Sequence, residues 1–118
     1  MEEVAIYINR FFTQNSDIQQ CFNGHIYWEL AEEEGVTLPF CNFSIKEDPD
    51  RSKDRAGDYY VYVKIFNANL TSAAKCGDVV KQQVKNNTQW YYDGGELEYV
   101  STDLGKFGLY ELKFKIRR

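Results

Sequence analysis

Histidine is almost missing from this sequence. His25 is the whole supply, which excludes a His–His metal site and leaves one candidate imidazole base. Glu29 follows four positions later. On a strand that spacing sets the two about 13 Å apart along one face, too far to share a metal. His25 is therefore read as a surface histidine. Cysteine is scarce too: Cys21, Cys41 and Cys76 are odd in number and show no CxxC spacing. Set among apolar or helix-periodic neighbours, they read as reduced, buried thiols of a cytosolic protein. A nucleophilic role for Cys41 would need the one histidine as its partner. No GxGxxG, P-loop or nucleophile elbow occurs. No apolar run approaches a membrane span, and the acidic opening MEEVAIYINRFF is unlike a secretory signal. The sequons at 42, 69 and 86 therefore carry no weight. These absences lead to the expectation of no catalysis, no metal, no cofactor and no membrane partner.

A basic surplus is lacking as well. The formal net charge is −4 and the pI about 5.0, which disfavours a general phosphate-backbone binder. Aromatics on a sheet, such as Tyr60, Tyr62 and Phe66, can stack on RNA bases, but normally alongside excess lysine and arginine. No specific nucleic-acid partner is expected. Lys113, Lys115, Arg117 and Arg118 are a local exception, read as a solvated strand face and tail.

What is present is apolar and aromatic: 43% and 16% of 118 residues, enough for the core of one domain spanning 1–118. Val4, Ile8, Phe11 and Phe12 fall at helical spacing over roughly 2–13. Ser16 or Asp17 then caps one further turn ending near Phe22. After Asn23-Gly24, HIYWEL alternates as a strand, AEEEGVTLP connects, and Pro39 opens the strand FCNFSIK. In YYVYVKIFNA, Val61, Val63 and Ile65 line one face while Tyr60, Tyr62, Lys64 and Phe66 line the other. The aliphatic face belongs on a helix. The aromatic one is covered either by a partner or by the N-terminal helix. Thr71 or Ser72 caps a helix to about Asn86, with Ala73, Cys76, Val80 and Val84 as its buried stripe. Small residues at 73, 74 and 77 allow close approach to a sheet.

After WYY and the turn signal DGG come ELEYVST and GLYELKFKI. A four-residue loop between Asp103 and Gly108 would set Leu97 opposite Phe114 and Tyr99 opposite Leu112. Glu98 would then meet Lys113 and Glu96 would meet Lys115. The fold class is α+β: a mainly antiparallel sheet packed by a central helix (about 71–86) and a short N-terminal helix, in the order α-β-β-β-α-β-β.

Between two strands lies EDPDRSKDRAGD (47–58), with eight charges among twelve residues. An EF-hand loop starting at Asp48 needs Gly sixth and Glu twelfth, where this chain has Lys53 and Tyr59. Arg51, Lys53 and Arg55 also oppose a cation. Glu32, Glu33 and Glu34 are consecutive and form no acid/base pair in divergent environments. The charged segment reads as the tip of a long-looped hairpin.

From end to end the pattern resembles the tail-completion, or tail-terminator, proteins of long-tailed phages and prophages. The likeness rests on the opening helix and capped turn, on the Pro-aromatic-apolar strand LPFCNFSI (38–45), on the charged loop, and on YYVYVKIFNANLTSAA (59–74) running into its helix. YELKFKI closes the chain as the family's final strand pair does. AEEEGVTLP departs from the usual Ala-Pro-rich stretch. The resemblance implies a non-enzymatic assembly protein, made in the bacterial cytoplasm and built into the virion tail. It implies a homo-oligomeric ring, commonly of six subunits, whose partners are the tail-tube protein and the head connector. Arg51, Lys53, Arg55, Tyr60, Tyr62, Lys64 and Phe66 are the interface candidates, since a ring needs head-to-tail contacts and segments that order on assembly. The alternatives are another neck or head-completion factor, or a small ligand-binding or enzymatic α+β domain with its pocket on the aromatic face.

Overall fold

A computed structural model describes residues 2–28, 38–48, 58–102 and 105–117. Helix α1 (Glu2–Gln14) buries Val4, Ile8 and Phe12, one residue per turn, and carries Glu2 and Glu3 at its positive N-terminal end. Helix α2 (Ser16–Phe22) is capped by Asn15, not by Ser16 or Asp17. The Asn15 side chain accepts from the Ile18 amide at 3.1 Å. The helix ends at Asn23, which takes the left-handed conformation at φ 52°.

Strands β1 (Ile26–Trp28), β2 (Phe40–Asp48) and β3 (Asp58–Asn67) precede helix α3 (Leu70–Asn87), and β4 (Tyr91–Thr102) and β5 (Gly105–Ile116) follow it. The sheet order is β1-β2-β3-β5-β4. β1 pairs with β2 in parallel and every other pair is antiparallel, so the expected α+β class holds. Since β3 and β4 both run against β5, they are parallel to each other, and α3 is the crossover between them. It packs over the strand inserted between its two ends.

The α3 cap is Asn69, whose side chain accepts from the Ser72 amide at 2.8 Å, in place of Thr71 or Ser72. Asn69 has extended backbone and an acceptor one turn short of the first free amides, which is the N-cap requirement. The buried stripe is the expected one with Gly77 added. A Cβ at Gly77 would run into the Tyr110 ring, so the missing side chain is what lets α3 close onto β5.

All buried strand residues among those described lie on one sheet face: Cys41, Phe43, Tyr59, Val61, Val63, Ile65, Gly108, Leu112 and Phe114. The N-terminal helix lies on this face too. Phe12 stacks on Phe43 at 4.6 Å between ring centroids, and Trp90 packs against Phe11 at 5.1 Å. Each fully buried aliphatic or aromatic side chain here contributes about 1.5–3 kcal/mol. No helix among the described residues is long and apolar enough to cross a membrane.

The last two strands depart from expectation twice. DGG is not a turn: Tyr91–Thr102 is one strand, and Asp93 and Gly94 together oppose the single residue Lys113, a β-bulge with Gly94 at φ 120°. The extra residue inverts the alternation, so Tyr92 before it and Leu97 and Tyr99 after it share the helix-side face. The register is also shifted by four. Thr102 pairs with Gly105, so Leu97 lies opposite Tyr110 and Tyr99 opposite Gly108. Glu96 meets Glu111 and Glu98 meets Leu109, so the two expected Glu–Lys pairs do not form. A shift by an even number preserves the faces while changing every partner.

Candidate interaction surface

The sheet face away from the helices carries Tyr60, Tyr62, Lys64 and Phe66 of β3, as the alternation required. Lys64 is exposed and the three aromatics are half-buried. Of the two covers considered for this face, the N-terminal helix is ruled out by its packing on the other side. Register sets Phe40, Asn42, Ser44 and Lys46 of β2 beside these residues, and Leu109, Glu111, Lys113 and Lys115 of β5 on the other flank.

Two chemical zones result. At one end, aromatic rings cross four strands. Tyr27 meets Phe40 edge-on at 6.2 Å, Phe40 stacks on Phe66 at 4.5 Å and 15°, and Phe66 meets Phe107 edge-on at 5.5 Å. These are preferred aromatic geometries, and they lock the rings into a ridge at little further entropy cost. At the other end, cations lie over tyrosines. The Lys113 ammonium is 4.4 Å from the Tyr60 centroid and 5.9 Å from that of Tyr62, and Lys115 is 5.6 Å from Tyr60. Arg117 stands over the exposed Tyr91 at 5.3 Å.

Both lysines are anchored by carboxylates, Lys113 to Asp93 and Lys115 to Asp58, each at 3.3 Å. Those hydrogen bonds, with the tyrosines nearby, hold both lysines above the ordinary lysine range. Of the C-terminal cations, Lys113 and Lys115 are thus matched locally, though by Asp93 and Asp58 rather than by Glu98 and Glu96. In a protein of net charge −4, the exposed Lys46 and Lys64 and the Arg117 guanidinium add positive charge to the aromatic rings of this open face.

Tyr60, Tyr62, Lys64 and Phe66 share this surface. Arg51, Lys53 and Arg55 lie outside the described residues, as do Glu29 and most of AEEEGVTLP. The hairpin that bears the charged segment is antiparallel as expected, and its ladder reaches Asp48 opposite Asp58. Glu47, Asp48 and Asp58 thus belong to strands. Sequence reasoning missed Phe40, Phe107 and the placement of Lys113 over Tyr60. The first two follow from alternation once strand limits are known. The third needs β5 next to β3, which no local pattern signals.

His25 is half-buried rather than fully at the surface. Its Nδ1 has no hydrogen-bond partner, and its carbonyl accepts from the Cys41 amide at 3.0 Å. Among the described residues, no three or more His, Cys, Asp or Glu residues gather as metal ligands. An open depression lined by Tyr7, Trp90, Tyr91, Ile116 and Arg117 lies beside α1, away from the aromatic ridge.

No family model and no curated protein sequence matches the chain. Among solved structures, it is similar to a chain of the virion of a native gene transfer agent particle. The TM-score is 0.66 at 8% sequence identity, over 93% of this chain and 90% of that one. At that identity the likeness is one of fold.

Proposed function

We propose that this protein is a structural component of a phage-type particle. Within that class we read it as a tail terminator: a ring that caps the tail tube, stops its growth and offers a face to the head connector. The observation that carries the coarser reading is the fold likeness, over nearly the whole of both chains, to a component of a gene transfer agent virion. The finer reading adds the end-to-end sequence resemblance and the open sheet face. That face has aromatic side chains at its centre, the residue type enriched in interface cores, with lysines around them.

In this reading the chain catalyses nothing and takes no cofactor. It is made in the bacterial cytoplasm, and its partners are copies of itself, the tail-tube protein and the head connector. Tyr60, Tyr62, Lys64 and Phe66 meet a neighbour, and Arg51, Lys53 and Arg55 contribute from the charged segment. Replacing those three cations by serine should leave the thermal midpoint almost unchanged yet impair assembly.

The test is native mass spectrometry and negative-stain imaging of the purified chain, alone and with tail tubes. Rings, free or seated on tube ends, are expected. A strict monomer at high concentration that also leaves tube ends bare would overturn the reading. Attachment to head connectors alone would make the protein a head-completion factor instead.

A further inference from the structure

Two of the three cysteines meet in space although 55 positions separate them. The Cys21 thiol of α2 donates to the Cys76 sulfur of α3 across 2.8 Å. Cys76 also accepts from the Asn67 side-chain amide at 3.5 Å, and as a thiol it donates weakly to the Cys21 carbonyl at 3.8 Å. Cys76 is buried, whereas Cys21 is half-buried and opens onto a shallow groove between the helices, lined by Asp17, Gln20, Val79, Gln82 and Gln83. The sequence reading of three buried thiols therefore holds for Cys41 and Cys76 and not for Cys21. Cys41 is fully enclosed beneath the sheet.

We propose that Cys21 and Cys76 are a peroxide-oxidisable pair that closes to a disulfide joining α2 to α3. The inference is independent of the tail-terminator reading. The two donors aimed at the Cys76 sulfur stabilise its thiolate, bringing its pKa down to about 7. The Cys21 thiol is held protonated, first by that same hydrogen bond and then by burial, and burial likewise pushes Cys41 up.

The chemistry balances with hydrogen peroxide as oxidant. The Cys76 thiolate attacks one peroxide oxygen and breaks the O–O bond, giving the sulfenic acid and hydroxide, which takes up the proton that the thiol released. The Cys21 sulfur then attacks the sulfenic sulfur. The S–S bond forms, the S–O bond breaks, and hydroxide leaves with the Cys21 proton as water. Overall, two thiols give up two electrons and two protons, and one peroxide becomes two waters. Closing from 2.8 Å to the ~2.05 Å of a disulfide needs a movement of under about 1 Å. The link closes a long loop in the unfolded chain, so it should raise the thermal midpoint by on the order of 10 °C.

The full chain, treated with stoichiometric hydrogen peroxide and then digested without reductant, provides the test. Expected are loss of two hydrogens from the intact mass, a fall from three free thiols to one, and a peptide linking Cys21 to Cys76. Cys41→Ser should behave like the parent. Cys21→Ser should stop at a sulfenic acid on Cys76 that a dimedone probe captures. Three thiols still free after treatment, or a linkage that includes Cys41, would overturn the proposal. The parent protein's own linkage map decides the matter even if a variant fails to fold.

Discussion

The Lys113 ammonium lies 4.4 Å from the centre of the Tyr60 ring, across the ladder between β3, the central strand of the sheet, and β5, the last strand of the chain. Tyr60 is flanked by Lys46 on β2 and Lys115 on β5, so the ring sits between lysines. The pair is half open to solvent and contributes little to folding, which leaves it available for recognition. Replacing Tyr60 and Lys113 together by serine should lower the thermal midpoint by only several degrees and keep the native circular dichroism spectrum, while abolishing ring formation or tube capping. A loss of fold in circular dichroism would show that this face belongs to the core.

The two anchored lysines fix the sign of an alkaline effect. Their folded-state pKa values are raised, Lys113 first by its hydrogen bond to Asp93 and Lys115 first by that to Asp58. The stability they contribute is complete below the unfolded lysine pKa and is lost as pH rises through the folded value. The urea midpoint should therefore fall from about pH 10 upward, and Lys113→Met with Lys115→Met should flatten that fall. An unchanged slope in the double variant would contradict the assignment.

Glu96 faces Glu111 across the final hairpin. Like charges directly opposite each other are destabilising, so Glu96→Lys should stabilise the protein by about 0.2–1 kcal/mol, with the gain shrinking in high salt. The register expected from sequence would set Glu96 opposite Lys115, and there the same substitution would destabilise. Urea melts at two salt concentrations distinguish the two pairings.

Gly77 lies under the Tyr110 ring, whose hydroxyl accepts from Lys81 at 3.0 Å. In a free helix, alanine would be better than glycine by about 1 kcal/mol. Here the added methyl must displace the ring or the helix, and Gly77→Ala should cost about 1–3 kcal/mol net. A neutral or stabilising result in chemical denaturation would mean that α3 and β5 do not pack this closely.

Asn69 caps α3 through the Ser72 amide. Asn69→Ala should cost about 0.5–2 kcal/mol, while Thr71→Ala, one residue into the exposed first turn, should stay within about 0.5 kcal/mol. The reverse order would restore the cap read from sequence.

The difference between those caps illustrates what was legible beforehand. Alternation exposed both faces of β3, because Val61, Val63 and Ile65 can be satisfied only by burial. The α3 stripe was equally plain in Ala73, Cys76, Val80 and Val84. What failed were choices between near-equivalent local solutions. Asn69, Thr71 and Ser72 are all competent caps, and Asp93-Gly94 is as good a bulge as a turn. A hairpin slipped by four keeps Leu97 and Tyr99 on the same face. The candidate surface was half legible for a related reason. Its aromatic members declare themselves within one strand, whereas Lys113 reaches Tyr60 only because β5 inserts between β3 and β4. The meeting of Cys21 with Cys76 likewise depends on how α2 docks against α3, which no spacing encodes.

Tail length in the absence of the protein tests the central claim most directly. Under the proposed function, deleting the gene from the genome that encodes it and imaging the particles that genome produces should yield tail tubes of uncontrolled, excessive length, separate from filled heads. Tails of normal length joined to heads, in a lysate proven to lack the protein, would contradict the account.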